Sequence, residues 1–219
     1  MTPQAGLFLS ALAFVGTHFL LSHPLRAPLV RAVGVGQFQG IYSMVAVATF
    51  GSMIWFYQAI GREPPLWAVG DGLWLLASVL MWLGAILFVG SFVRNPALPG
   101  ARLAHGTAPH GVFAITRHPM MWGFALWAAV HLMVVATPKA LVFDGAVLFL
   151  ALAGSVGQDA KKHRLMGERW HEWAAQTAFI PFSRGVANPG VAALLGGTLL
   201  FFAATWAHPA PAGFWRWIG

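Results

Sequence analysis

The sequence predicts an all-α, polytopic integral membrane bundle: about six transmembrane helices plus an amphipathic helix on the cytoplasmic surface. Three observations lead there. Apolar residues make up 58% of the chain and charged residues only 9%, whereas a soluble domain carries about 25% charge. Six stretches are long and apolar enough to cross a bilayer or nearly so. The basic residues between them alternate from one side to the other. At 219 residues the chain reads as a single transmembrane domain, 1–219.

Crossing a bilayer takes about 20 mostly apolar residues. Residues 4–22, 40–60, 72–92, 120–137, 140–157 and 190–208 qualify, the fourth and fifth being short. Those two meet at Thr137-Pro138-Lys139, a tight turn between antiparallel helices, where Pro138 stops one helix and suits the first turn of the next. The N-terminus has no basic segment followed by a small-residue cleavage pattern, so it is expected to begin a retained helix.

Arg26 and Arg31 follow the first span; Arg94, Arg102 and Arg117 follow the third; Lys161, Lys162, Arg164, Arg169 and Arg184 follow the fifth. Only Arg62, Lys139 and Arg216 fall on the other side, so ten of thirteen cations share one face. Under the positive-inside rule that face is cytoplasmic and both termini lie outside, in what is expected to be a bacterial inner membrane. The same scatter argues that the net charge of +7 serves orientation and not nucleic-acid binding. The chain has no cysteine, which removes disulfides, cysteine metal sites and thiol catalysis. No phosphate-binding loop, His-Glu-x-x-His or Ser-His-Asp set is present.

Two cytoplasmic segments are long. The first, 95–117, is rich in Pro, Gly and His. The second, 158–188, places Met166, Trp170, Trp173, Ala174 and Thr177 on one helical face, the pattern of a surface helix near 161–176. Arg164 and Glu168 form an i, i+4 pair within it.

Histidine inside hydrocarbon is costly without a partner and so marks a functional site. His18 lies in the first span beside Phe14 and Ser22, and His131 in the fourth beside Trp127 and Ala128. Two neutral imidazoles on facing helices suit a bis-histidine haem. Each equally suits a core histidine bonded to a backbone carbonyl or hydroxyl. Counted from the flanking cations Arg26 and Arg117, their depths differ by about 9 Å, whereas one iron needs both near one level. His118, in Thr-Arg-His-Pro at the inner end of the fourth span, reads either as a helix start or, with Arg117, as a binder of a propionate or phosphate. Asp144 in the fifth span is expected to pair with Lys139.

The segment 116–127, Thr-Arg-His-Pro-Met-Met-Trp-Gly-Phe-Ala-Leu-Trp, resembles the NnrU family, which includes the 15-cis-zeta-carotene isomerases. Thr17-His18-Phe19 with Ser22 and Pro24-Leu25-Arg26, then Gly40-Ile41-Tyr42-Ser43, Arg164 to Trp170, and Ile180-Pro181-Phe182 carry the likeness over about 5–185, leaving the span 190–208 as an addition. The resemblance implies a membrane haem b protein whose ligands fall, by position, on His18 and His131. It associates the chain with nitrite and nitric oxide metabolism, with a nitrogen-oxide ligand at the haem. The isomerase branch implies instead a haem-dependent cis–trans isomerase acting on a hydrophobic polyene. In that branch a cysteine stands three residues before the second ligand; here the position is Ala128. A cofactor-free transporter or assembly factor is a third reading. Arg-His-Pro with a following helix and Ile-Pro also resembles membrane methyltransferases, but the acidic pair those use reads Asp159-Ala160-Lys161-Lys162 here.

Overall fold

The computed structural model describes residues 1–96 and 103–218. Arg102 and residues 97–101 of the Pro/Gly-rich segment after the third span lie outside the described residues. Seven α-helices and no strand occur among those described: α1 (Pro3–Ser22), α2 (Arg26–Ala59), α3 (Asp71–Gly90), α4 (Pro119–Val135), α5 (Pro138–Met166), α6 (Glu168–Gln176) and α7 (Val191–Trp206). Four of them, α1, α2, α3 and α5, are long and apolar enough to cross a membrane. Helices α4 and α7 are apolar but shorter, at 17 and 16 residues.

Local chemistry sets the ends. Thr2 and Thr137 cap α1 and α5 through their hydroxyls, each followed by a proline whose missing N–H costs nothing at a helix start. Pro119 opens α4 in the same way, behind His118. Ala136, left-handed at φ 50°, closes α4 one residue before that threonine. The tight 136–138 turn is therefore where the sequence placed it.

Two boundaries differ from expectation. Arg26 and Arg31 are helical, not in a loop, because α2 begins at Arg26 and is broken only at Gly34, whose φ of 81° a side chain would resist. The expected surface helix is likewise split. Its first residues belong to α5, which continues to Met166, and Gly167 at φ 56° separates them from α6. Arg164 and Glu168 thus fall on different helices. Trp170 and Trp173 on α6 are buried in a cluster with Leu103, Val112 and Phe113. Glu172, on the opposite side, accepts from the His105 ring at 2.9 Å, and that bond holds its carboxyl below the usual carboxylate range.

Neighbouring helices pack in the series α2, α1, α5, α4, α3, α7. Glycines allow the closest approaches. A Cβ on Gly123 would lie 3.1 Å from the Gly84 carbonyl oxygen, between α4 and α3. One on Gly197 would lie 2.5 Å from Ile86 Cα, between α7 and α3. Small residues at such crossings are what helix association in lipid requires. Trp82 also donates to Thr198 at 2.9 Å across the α3–α7 seam.

Candidate functional site: a histidine-lined cavity

The series of helices curves around one cavity of about 800 Å³, a volume in the range of cofactor sites. Its wall is mostly apolar. His18 on α1 and His131 on α4 both line it, with Tyr42, Trp127 and His208 beside them. Helices α2 and α7, the two ends of the series, border it from opposite flanks. Val47 of α2 and Leu200 of α7 line the cavity yet are 72% and 38% exposed, so it opens sideways between these helices.

The two imidazoles are held alike. His18 donates from Nδ1 to the Phe14 carbonyl at 2.6 Å, and His131 donates from Nδ1 to the Trp127 carbonyl at 2.7 Å. A carbonyl only accepts, so each Nδ1 carries the proton and each Nε2 presents a lone pair. No hydrogen bond is made by either Nε2 among the described residues. Tying one ring nitrogen to a carbonyl is the usual way a protein orients a metal-ligating histidine.

Depth can be measured against α5, which runs alongside both helices. The His23 ring sits against Gly157, and His118 bonds Gln158 and Asp159, so the end of α1 and the start of α4 share one level. His18 lies five residues from the first marker and His131 thirteen from the second. At 1.5 Å per residue their Cα atoms differ by about 12 Å in depth. The rings, however, do not sit at the depth of their Cα atoms. A helical side chain leans toward its helix N-terminus, and α1 and α4 are antiparallel. The His18 ring packs on Phe14, one turn outward, and the His131 ring on Trp127, one turn inward. The two lean toward each other, reducing the offset to about one helical turn.

Arg117 and His118 stand elsewhere. The Arg117 guanidinium grips Asp159 through Nε at 2.9 Å and a terminal nitrogen at 2.6 Å, and donates to the Thr177 carbonyl at 3.1 Å. His118, 2% exposed, meets Asp159 through Nε2 at 2.8 Å and Gln158 through Nδ1 at 2.9 Å. Neither lines the cavity. Both are consumed in joining α4, α5 and the segment after α6. Asp144 does not pair with Lys139, whose ammonium instead lies over the Tyr57 ring at 4.5 Å and donates to the Gly61 carbonyl.

Sequence reasoning missed two cavity residues. His208, at the end of the last apolar span, lines the cavity with its ring centroid 6.3 Å from that of His131. Lys161, expected on a surface helix, is carried by α5 into the cavity wall at the end marked by His23 and His118. A longer reading of the fifth helix, beyond Gly157, would have found it. Among the described residues no three His, Asp or Glu side chains gather to hold a bare metal ion.

No curated protein and no solved structure matches the chain. The family model described as NnrU protein matches residues 6–215, which takes in α7 and the short turn after it, beyond the stretch that the motifs covered. An all-helical chain with several apolar spans and a match over nearly its whole length belongs to the NnrU family.

Proposed function

We propose that this chain is an integral membrane haem b protein in which His18 and His131 would hold the iron, acting in nitrogen-oxide metabolism. One observation carries the reading: two imidazoles in one cofactor-sized cavity, each locked by a backbone bond with Nε2 turned free. Two nitrogens are too few for a bare ion, but they are what an iron needs when a porphyrin supplies its other four donors. When bound, haem would supply an iron able to exchange electrons and, with one position open, to take a small ligand. The protein's own part is to orient the imidazoles, exclude water with aromatic neighbours, and admit molecules from the side.

Six spans with both termini outside the cytoplasm belong to the same reading. Two groupings support it. The cations Arg117, Lys161 and Lys162 lie at the end of the bundle marked by His23 and His118. Lys139 meets Gly61 and Arg216 meets Asp71 at the opposite end.

The sideways opening favours one second reading, a haem-dependent isomerase of a polyene. An apolar rim at Val47 and Leu200 is the entry that a hydrocarbon dissolved in the bilayer would use. Carotenoid profiles in a host accumulating a 15-cis substrate separate the two readings.

The decisive test is the visible spectrum of detergent-purified protein. The expected result is a low-spin Soret band that His18→Ala and His131→Ala each abolish or convert to high spin, while His118→Ala leaves it unchanged. A wild-type protein without any Soret band points to the cofactor-free class. A low-spin band that survives His131→Ala but not His118→Ala or His23→Ala moves the ligands to the inner end.

A further inference from the structure

The inner end of the cavity is built differently from its walls. Lys161 lines it, half-buried, and makes no hydrogen bond or ion pair among the described residues. Arg26 on α2 and the neighbouring Lys162 lie within electrostatic reach, and both carry the same sign of charge. His23 lines the same end, and its buried Nδ1 has no hydrogen-bond partner. The carboxylate of Asp159, two residues before Lys161, is already engaged by Arg117 and His118. A cation facing an apolar cavity beside an orphaned ring nitrogen is unfavourable unless an anion comes to it.

We infer that Lys161 and His23 form a carboxylate-binding mouth, which receives the acidic group of an amphiphile whose apolar body fills the cavity. The inference rests in part on the haem reading, where the acidic groups are the propionates. It moves that contact from Arg117 and His118, which are engaged by Asp159 and do not line the cavity, to two residues that do. A long-chain fatty acid presents the same chemistry, a carboxylate on an apolar body.

The experiment uses the full chain in phosphatidylcholine nanodiscs, with binding corrected for partition into empty discs. Two probe pairs are titrated: haem b with its dimethyl ester by absorbance, and dibromostearate with its methyl ester by quenching of tryptophan, Trp127 being in the cavity wall. A charge-assisted hydrogen bond predicts that the wild type prefers the acid over the ester by about tenfold. Lys161→Gln should remove that preference, Lys161→Arg should keep most of it, and Lys162→Gln, whose lysine bonds the Pro96 carbonyl instead, should leave it intact. Preference for haem b over its ester identifies the propionates as the source. Uptake of neither porphyrin, with preference for the fatty acid retained, supports the mouth and sinks the haem reading. No acid preference in the wild type with either pair overturns the proposal, even if Lys161→Gln fails to fold. So does a Lys162→Gln loss as large as that of Lys161→Gln.

Discussion

Asp159→Asn separates a structural role of the Arg-His-Pro segment from a role in the cofactor site. The Asp159 carboxylate accepts from Nε and one terminal nitrogen of Arg117 and faces the His118 ring, and the Arg117 and Asp159 side chains are only 14% and 23% exposed. Converting it to an amide removes the negative charge and leaves the guanidinium half-sequestered among Thr177, Phe179 and α5. Breaking a buried pair from one side costs about 3–5 kcal/mol. Partial exposure places this one near the lower end, about 3 kcal/mol. For a chain of this size, 1 kcal/mol moves a melting temperature by about 2–4 °C, so the expected loss is roughly 6–12 °C. The assay is thermal unfolding of the detergent-solubilised protein, followed by tryptophan emission, and, as the test of the proposed haem reading, the haem-to-protein absorbance ratio taken well below the transition. That ratio should not change, because Asp159, Arg117 and His118 all lie off the cavity. Arg117→Ala combined with Asp159→Ala should cost less than the two single changes added, since neither charge is then left alone. An unshifted melting temperature, or haem lost from a fully folded Asp159→Asn protein, would refute the structural assignment.

Gly197→Ala should destabilise by about 1–3 kcal/mol, because the added methyl meets the backbone of Ile86 at 2.5 Å. Gly196→Ala should be milder, since it meets only the tip of Val89, and the pair compared by thermal unfolding isolates the α3–α7 crossing. A reporter fused after the last residue should be active only when it is a non-cytoplasmic type, because ten of thirteen cations then face the cytoplasm; a cytoplasmic signal would refute the six-span topology with both termini outside.

Much of the fold was legible because it rests on local chemistry. Thr-Pro and His-Pro marked the starts of α5 and α4, since a proline at a helix start is favoured by its own geometry whatever surrounds it. Hydropathy found the apolar segments, since lipid is a uniform solvent and leaves a uniform signature. Hydropathy also misplaced boundaries wherever a polar helix continued an apolar one. Nothing in the composition of 158–166 says that α5 continues past its apolar stretch, because a helix needs only backbone bonds to continue, and the stop comes from Gly167. Lys161 was lost to a surface reading for that reason. The pairing of Lys139 with Asp144 failed for a related one: nearness along a helix does not compete with the Gly61 carbonyl and the Tyr57 ring brought in from α2 and its following loop.

The pair of histidines shows where residue counting stops being a measure of distance. Counted in Cα positions, His18 and His131 stand at different depths, and the structure widens the gap instead of closing it. What narrows the offset between the rings is the direction of the helices that carry them. Because α1 descends and α4 ascends, the same lean toward the N-terminus moves one imidazole outward and the other inward. Had the two helices been parallel, both rings would have moved the same way and the offset would have stayed whole. The Nδ1 bonds to Phe14 and Trp127 are the visible form of that lean, since each reaches the carbonyl one turn back. They also leave each lone pair on the ring nitrogen farther from the helix. Depth, tautomer and orientation thus follow from a single feature, an antiparallel pair of helices each with a histidine bonded to its own preceding turn.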